Sequence, residues 1–134
     1  MDIKNLVTSY QGRIRRLHFW LGLLGLGIVF GVLYGILGAV LGPKVDAATG
    51  VASINPLYMP VSLILAIPYL YMVFAIYVKR AHDRNRAWWF SLLFLVPLLN
   101  LWPLIELGFL PGTPGDNQYG PDPKAAAAAA PAAA

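Results

Sequence analysis

An all-α membrane protein with three transmembrane helices, the third kinked or folded as a re-entrant hairpin and the first preceded by an interfacial amphipathic helix, is predicted by three observations. Residues 17–43 and 47–78 contain no Asp, Glu, Lys or Arg, and a third such run covers 87–105. An apolar run beyond about 18 residues can cross a hydrocarbon core of roughly 30 Å as a helix. The composition is 58% hydrophobic and 12% charged, whereas soluble domains carry about 25% charged residues. The 134 residues therefore read as one multi-pass membrane domain over 1–123, with spans at 17–41, 57–78 and 88–110, followed by a disordered Ala-rich tail over 124–134.

The Lys and Arg residues give the orientation. Lys4, Arg13, Arg15 and Arg16 precede the first span, Lys44 is alone in the first connector, Lys79, Arg80, Arg84 and Arg86 crowd the second, and Lys124 is alone in the tail. The positive-inside bias assigns the N-terminus and residues 79–87 to the cytoplasm, and residues 43–56 and the tail to the outside. Phe19 and Trp20, Tyr77, and Trp88 and Trp89 fall at the cytoplasmic boundaries of the three spans, where aromatic belts form. The first run is nearly twice the 7–15 residues of a signal-peptide core and ends without a small-x-small cleavage site, so it reads as an anchor.

Taken in order, Ile3, Leu6, Val7, Tyr10, Ile14 and Leu17 recur every three or four residues with polar residues between them, the pattern of a helix lying in the headgroup plane. Gly12 is a candidate break in it. Span one carries Gly27, Gly31 and Gly35 with Ala39 at intervals of four, a ladder that lets another helix approach closely. Span two contains Pro68 near its middle, where a kink is expected. Span three is interrupted by Pro97, Asn100 and Pro103. Its length favours one kinked crossing with an external tail. The alternative is a hairpin of two arms, 88–96 and 101–110, each reaching about 15 Å, which returns the tail to the cytoplasm. Glu106 is the one acid within a span, and with Asn100 it forms a candidate intramembrane polar site.

Few constellations carry chemistry. His82 beside Asp83 has no accompanying Ser or Cys and no second carboxylate of evident role, so no catalytic residue is assigned. His18 and His82 are the only histidines and cysteine is absent, so neither a metal site nor a cofactor is expected. The basic residues flank apolar runs, which excludes nucleic acid as the partner they serve. Asp83 is expected to cap the start of span three or to pair with Arg80 or Arg86.

Gly12-Arg13-Ile14-Arg15-Arg16 with Phe19-Trp20, then Arg80-Ala81-His82-Asp83 with Trp88-Trp89, then Leu110-Pro111-Gly112-Thr113-Pro114-Gly115-Asp116-Asn117 running on to Pro123, together resemble the domain-of-unknown-function 805 family. The likeness covers nearly the whole chain up to Lys124. It implies a small multi-pass protein of the bacterial inner membrane and brings no established activity. Lys79-Arg80-Ala81 stands where members often carry Arg-Arg-Leu, and His18 where many carry an acid or another polar residue.

The resulting expectation is a non-enzymatic accessory or interaction protein. Arg13, Arg15 and Arg16 with Arg80, His82, Asp83, Arg84, Arg86, Trp88 and Trp89 would form a surface for anionic lipid or a protein partner, since the cytoplasmic leaflet attracts juxtamembrane Lys and Arg by about 1 kcal/mol each. Gly27, Gly31 and Gly35 would pack against a helix of this chain, of a second copy or of a larger membrane complex. The alternative is a small transporter or channel subunit using Asn100 and Glu106.

Overall fold

The computed structural model describes residues 2–129. The helices are α1 (Ile3–Thr8), α2 (Arg16–Leu41), α3 (Tyr58–Asp83), α4 (Leu101–Phe109) and α5 (Pro123–Ala129), with a 3-10 segment at Trp88–Leu95 between α3 and α4. Two-residue strands β1 (Lys44–Val45) and β2 (Ala52–Ser53) pair antiparallel between α2 and α3, Lys44 opposite Ser53. Asp46 closes their turn. The Thr49 backbone N–H, the Thr49 hydroxyl and the Ala48 N–H all reach its carboxylate and hold it below the usual carboxylate range.

Helices α2 and α3 have 26 residues each, about 39 Å at 1.5 Å per residue, and both are long and apolar enough to cross a membrane. Leu24, Ile28, Val32 and Val40 on α2 are 58–61% exposed. Side chains of that kind at fourfold spacing form an apolar stripe that none of the described residues covers, as expected of a face turned to lipid. The core lies toward the other face and toward the basic end of the pair. Phe19, Ile76, Tyr77, Phe90 and Leu107 are buried there. Phe19 meets Tyr77 edge-on at 5.2 Å, and Tyr77 meets Phe94 at 4.7 Å. Farther along, Phe30 contacts Tyr69 at 5.0 Å and the Tyr34 hydroxyl donates to the Ser62 carbonyl at 3.0 Å. Helix α3 continues through Pro68.

Several elements have bounds other than those expected. The N-terminal amphipathic helix ends at Thr8, with Ser9 extended and Gly12 at φ +90°, a conformation that favours glycine. Leu6 is buried in the core, and the Lys79 ammonium donates to the carbonyls of Asn5 and Leu6, closing the end of α1 against α3. Span two does not stop at 78: α3 carries Lys79 to Asp83 on its last turns, so these residues have fixed helical positions instead of lying in a connector.

The third run is not one continuous helix. Its 3-10 segment of 8 residues and its α4 of 9 residues reach only about 16 Å and 14 Å. The turn at 96–100 between them includes Leu98 at φ +70°. Both ends of the run lie at the same end of α3, because Arg80 Nη2 donates to the Leu110 carbonyl at 2.7 Å and Trp88 follows Asp83 closely in sequence. The tail therefore lies on the side of the two basic clusters, opposite to the external tail expected of one crossing. The first part of the Ala-rich stretch is described as helix α5, consistent with the high helix propensity of Ala. Residues 130–134 of the expected disordered tail lie outside the described residues.

The glycine ladder is not where α2 meets the rest of the chain. A Cβ added at Gly27, Gly31 or Gly35 would meet nothing within 4 Å, whereas one at Gly22 would lie 2.8 Å from Ile76 Cδ1. Overpacking of a tight contact costs about 1–3 kcal/mol. Thermal unfolding in detergent should therefore show Gly22→Leu destabilised by that amount and Gly31→Leu unchanged within the monomer. Equal losses would mean that the ladder packs within the chain after all.

Candidate functional site

The end of α3 is held to the N-terminal arm and to the tail by arginines. Helix C-termini present unpaired carbonyls and a negative dipole end, which cations favour; Arg80 and His82 fall in this last turn. The Arg80 side chain is 1% exposed. Its Nε donates to the Leu107 carbonyl at 2.6 Å, Nη1 to the Ile14 carbonyl at 3.3 Å and to the Asp83 carboxylate, and Nη2 to the Leu110 carbonyl at 2.7 Å. Arg13 reaches the other oxygen of the same carboxylate and is equally buried. Its Nε lies 3.1 Å from Asp83 Oδ1, while its terminal nitrogens donate to the carbonyls of Thr113 at 2.6 Å, Gly115 at 2.7 Å and Gly120 at 3.2 Å. Asp83 is thus shared by two guanidiniums, one from before α2 and one from its own helix.

The tail has little secondary structure of its own, and its carbonyls need donors where they are covered. A guanidinium offers five donors in a rigid fork, which suits several converging carbonyls better than an ammonium would. Further bonds follow the same path. The Thr113 N–H donates to the Asp83 carbonyl at 2.7 Å, Asn117 Nδ2 to the His82 carbonyl at 2.9 Å and Arg84 to the Pro111 carbonyl at 2.5 Å. The His82 ring stacks on Tyr119 at 3.9 Å and its Nδ1 lies 3.2 Å from the Gly12 carbonyl. A Cβ on Gly112 would overlap the Asp83 carboxylate, so only glycine lets the tail pass this close. At the end of the tail, the Lys124 and Gly115 backbone N–H groups hold the Asp122 carboxyl below the usual carboxylate range.

Glu106 faces this same basic end, not the opposite one. It accepts from Arg86 Nε at 2.8 Å, Arg84 Nη2 at 3.4 Å and, one helical turn away, Trp102 Nε1 at 2.7 Å. No hydrogen bond joins it to Asn100, which occupies the position before α4. Asp83 pairs with Arg80, as one of the sequence alternatives has it, and with Arg13; Arg86 goes to Glu106, and the 3-10 segment starts at Ala87 without a side-chain cap. Trp88 and Trp89 are exposed. The arginines expected to share one lipid-facing surface are therefore divided: Arg13 and Arg80 point inward, Arg84 and Arg86 bind Glu106, and Arg16 donates to the Phe109 carbonyl at 2.8 Å. Among the described residues Arg15 makes no such bond.

Sequence reasoning missed the acceptors Thr113, Gly115 and Gly120, the Asn117 and Tyr119 contacts, and Trp102. The dense Pro/Gly tail was the available signal, since turn formers at fixed places suit a segment bound in one shape.

The profile of the family described as "Protein of unknown function (DUF805)" matches residues 7–121, a stretch that contains both guanidiniums and every carbonyl they hold. The chain belongs to this family. Among its relatives are the inner membrane proteins YhaH and YhaI of Escherichia coli, 33% and 30% identical, each alignment covering 91% of this chain and 92% and 91% of the relative. The uncharacterized protein YiiR of the same organism is 30% identical over 91% of this chain and 90% of its own length. No solved structure matches.

Removing the carboxylate that two buried guanidiniums share should be costly, about 3–5 kcal/mol for breaking a buried pair. Asp83→Ala is expected to lower thermal stability accordingly and to speed tryptic cleavage at Lys124, and Gly112→Ala should also release the tail. Unchanged protection of Lys124 in both variants would show that the tail does not depend on this clamp.

Proposed function

We propose that this DUF805 protein is a non-enzymatic accessory protein of the bacterial inner membrane, which holds a preorganised cap against the cytoplasmic leaflet and works through contacts with anionic lipid or a larger membrane complex. The observation that carries this reading is that the cap's buried charged groups, Arg13, Arg80, Asp83 and Glu106, are engaged in bonds within the chain. A general acid or base needs a free proton site within reach of a substrate; here the two carboxylates are held by arginines and Trp102, and the guanidiniums Arg13 and Arg80 by Asp83 and backbone carbonyls. Two apolar helices and the inner-membrane relatives support the location. In this reading α2 and α3 cross the bilayer, the N-terminus is cytoplasmic, and residues 88–110 form a re-entrant hairpin on the cytoplasmic side, since arms of about 15 Å fall short of a core of roughly 30 Å. The uncovered Gly27, Gly31 and Gly35 face leaves room for a helix of a second copy or of a partner.

The tail settles the topology by experiment. A reporter fused after Lys124 should read as cytoplasmic, and a Cys introduced at Ala47 should label from outside intact cells; a periplasmic reporter would rule out the hairpin.

Transport is tested separately. Because Glu106 is held by two arginines and Trp102, proton or cation flux into proteoliposomes should match that of protein-free vesicles for both wild type and Glu106→Gln. Flux present in the wild type and lost in Glu106→Gln would replace this reading with a transporter.

A further inference from the structure

We infer that Arg15, Arg16 and Lys124 form a binding site for a phosphate-bearing anion at the mouth of α2. These three side chains and Leu17 line a cleft of about 420 Å³, and no acid is among its lining residues. Arg15 stands apart from the arginines of the clamp. Its Nε is buried without a partner, and among the described residues neither Arg15 nor the Lys124 ammonium makes an ion pair. A buried, unpaired guanidinium donor is expensive to keep, so a site that supplies an acceptor would relieve it.

Three features fit phosphate. Arg15 occupies the cap position of a 26-residue helix and provides no side-chain acceptor for its first N–H groups; a helix start of this kind attracts anions through its exposed N–H groups and its dipole. Arg16 is held by the Phe109 carbonyl at 2.8 Å, which positions the second fork without neutralising it. Lys124 adds a compact charge from the tail. Arg15 and Arg16 directly precede the apolar stretch of α2, and Leu17 is 54% exposed, so a phosphodiester bound here would have an apolar surface beside it for acyl chains. The same phosphate chemistry occurs in a lipid headgroup and in a soluble phosphate ester.

The site draws its residues from both ends of the chain. Arg15 and Arg16 come from the N-terminal arm and Lys124 from the tail, so the cleft is complete only while the clamp holds the tail down. The inference rests on the proposed cytoplasmic cap but is tested without reference to orientation.

The test is native mass spectrometry of the full chain in mild detergent, titrated with short-chain phosphatidylglycerol, phosphatidylcholine and glycerol 3-phosphate. The wild type should retain one phosphatidylglycerol per chain in preference to phosphatidylcholine. Loss of charge-assisted bonds predicts a Kd raised about tenfold or more in Arg15→Gln with Lys124→Gln. A control with equal charge loss, Lys4→Gln with Lys44→Gln, should bind as the wild type does. Lys124→Gln alone, on the exposed start of α5, should give a partial loss and guards against misfolding of the double variant; a thermal midpoint in detergent equal to that of the wild type checks the same point. Glycerol 3-phosphate binding as tightly as phosphatidylglycerol would support the site and assign it to a soluble ester, whereas much weaker binding would support it and assign it to lipid. An unchanged Kd in the double variant, or an equal loss in the control pair, overturns the site. A periplasmic reporter with intact phosphate binding would remove the cap reading and leave the site standing.

Discussion

A carboxylate buried between two guanidiniums has to keep both, and at Asp83 that requirement ties together parts of the chain remote in sequence. Arg13 comes from the arm before α2 and spends its remaining donors on the tail, whereas Arg80, from α3 itself, spends its own on the arm, on α4 and on the residue after it. Desolvating three charges is offset only when nearly every donor finds an acceptor, and here the acceptors are backbone carbonyls of a segment with little structure of its own. The arm, the end of α3 and the tail therefore form one unit. The hairpin over 88–110 follows from it: Arg80 reaches Leu107 and Leu110, so the run has to return to the end it started from.

The two long apolar helices and the cap are stabilised in different ways. Along α2 and α3 apolar side chains face outward at one stripe and meet the rest of the fold at the other, a division that suits helices long and apolar enough to cross a membrane. In the cap, side-chain forks replace strand and helix ladders as partners for the backbone. Glycine matters most where these two regimes meet: Gly108 would clash with Trp20 at 2.6 Å if it carried a Cβ, and Gly112 with Asp83.

What could be read from the sequence was what composition encodes. The expected first span and α2 differ by one residue at one end, because crossing lipid demands an unbroken apolar run and nothing tertiary competes. The three motifs carrying the family resemblance proved to be the three pieces of the clamp, although their contact could not be read from their separation. The third run misled because hydropathy measures total length and cannot tell one crossing from two short arms; the decision lay in where Arg80 finds acceptors. The apolar periodicity from Ile3 to Leu17 overran α1 for a related reason, since Lys79 takes the carbonyls of Asn5 and Leu6 and ends the helix there. Arginines assigned by their position to lipid or a partner are divided between Asp83 and the tail, held by Arg13, and α4, reached by Arg16, Arg84 and Arg86, while among the described residues Arg15 makes no side-chain hydrogen bond. Glu106 was taken to lie near the outer end because a straight span was assumed, and it moved with the hairpin.

Arg13 donates to carbonyls 102 and 107 positions later in the chain. Translation runs from the N-terminus at about 5–20 residues per second, so Arg13 waits on the order of 5–20 seconds on the ribosome before its acceptors exist, and α2 and α3 are made well before the bonds that join their ends. A nascent chain halted before Thr113 would carry the helix pair with Arg13 lacking every tail carbonyl it holds in the finished structure. Closure of the cap therefore follows the making of both long helices, and for that interval their ends are joined by neither Arg13 nor the tail.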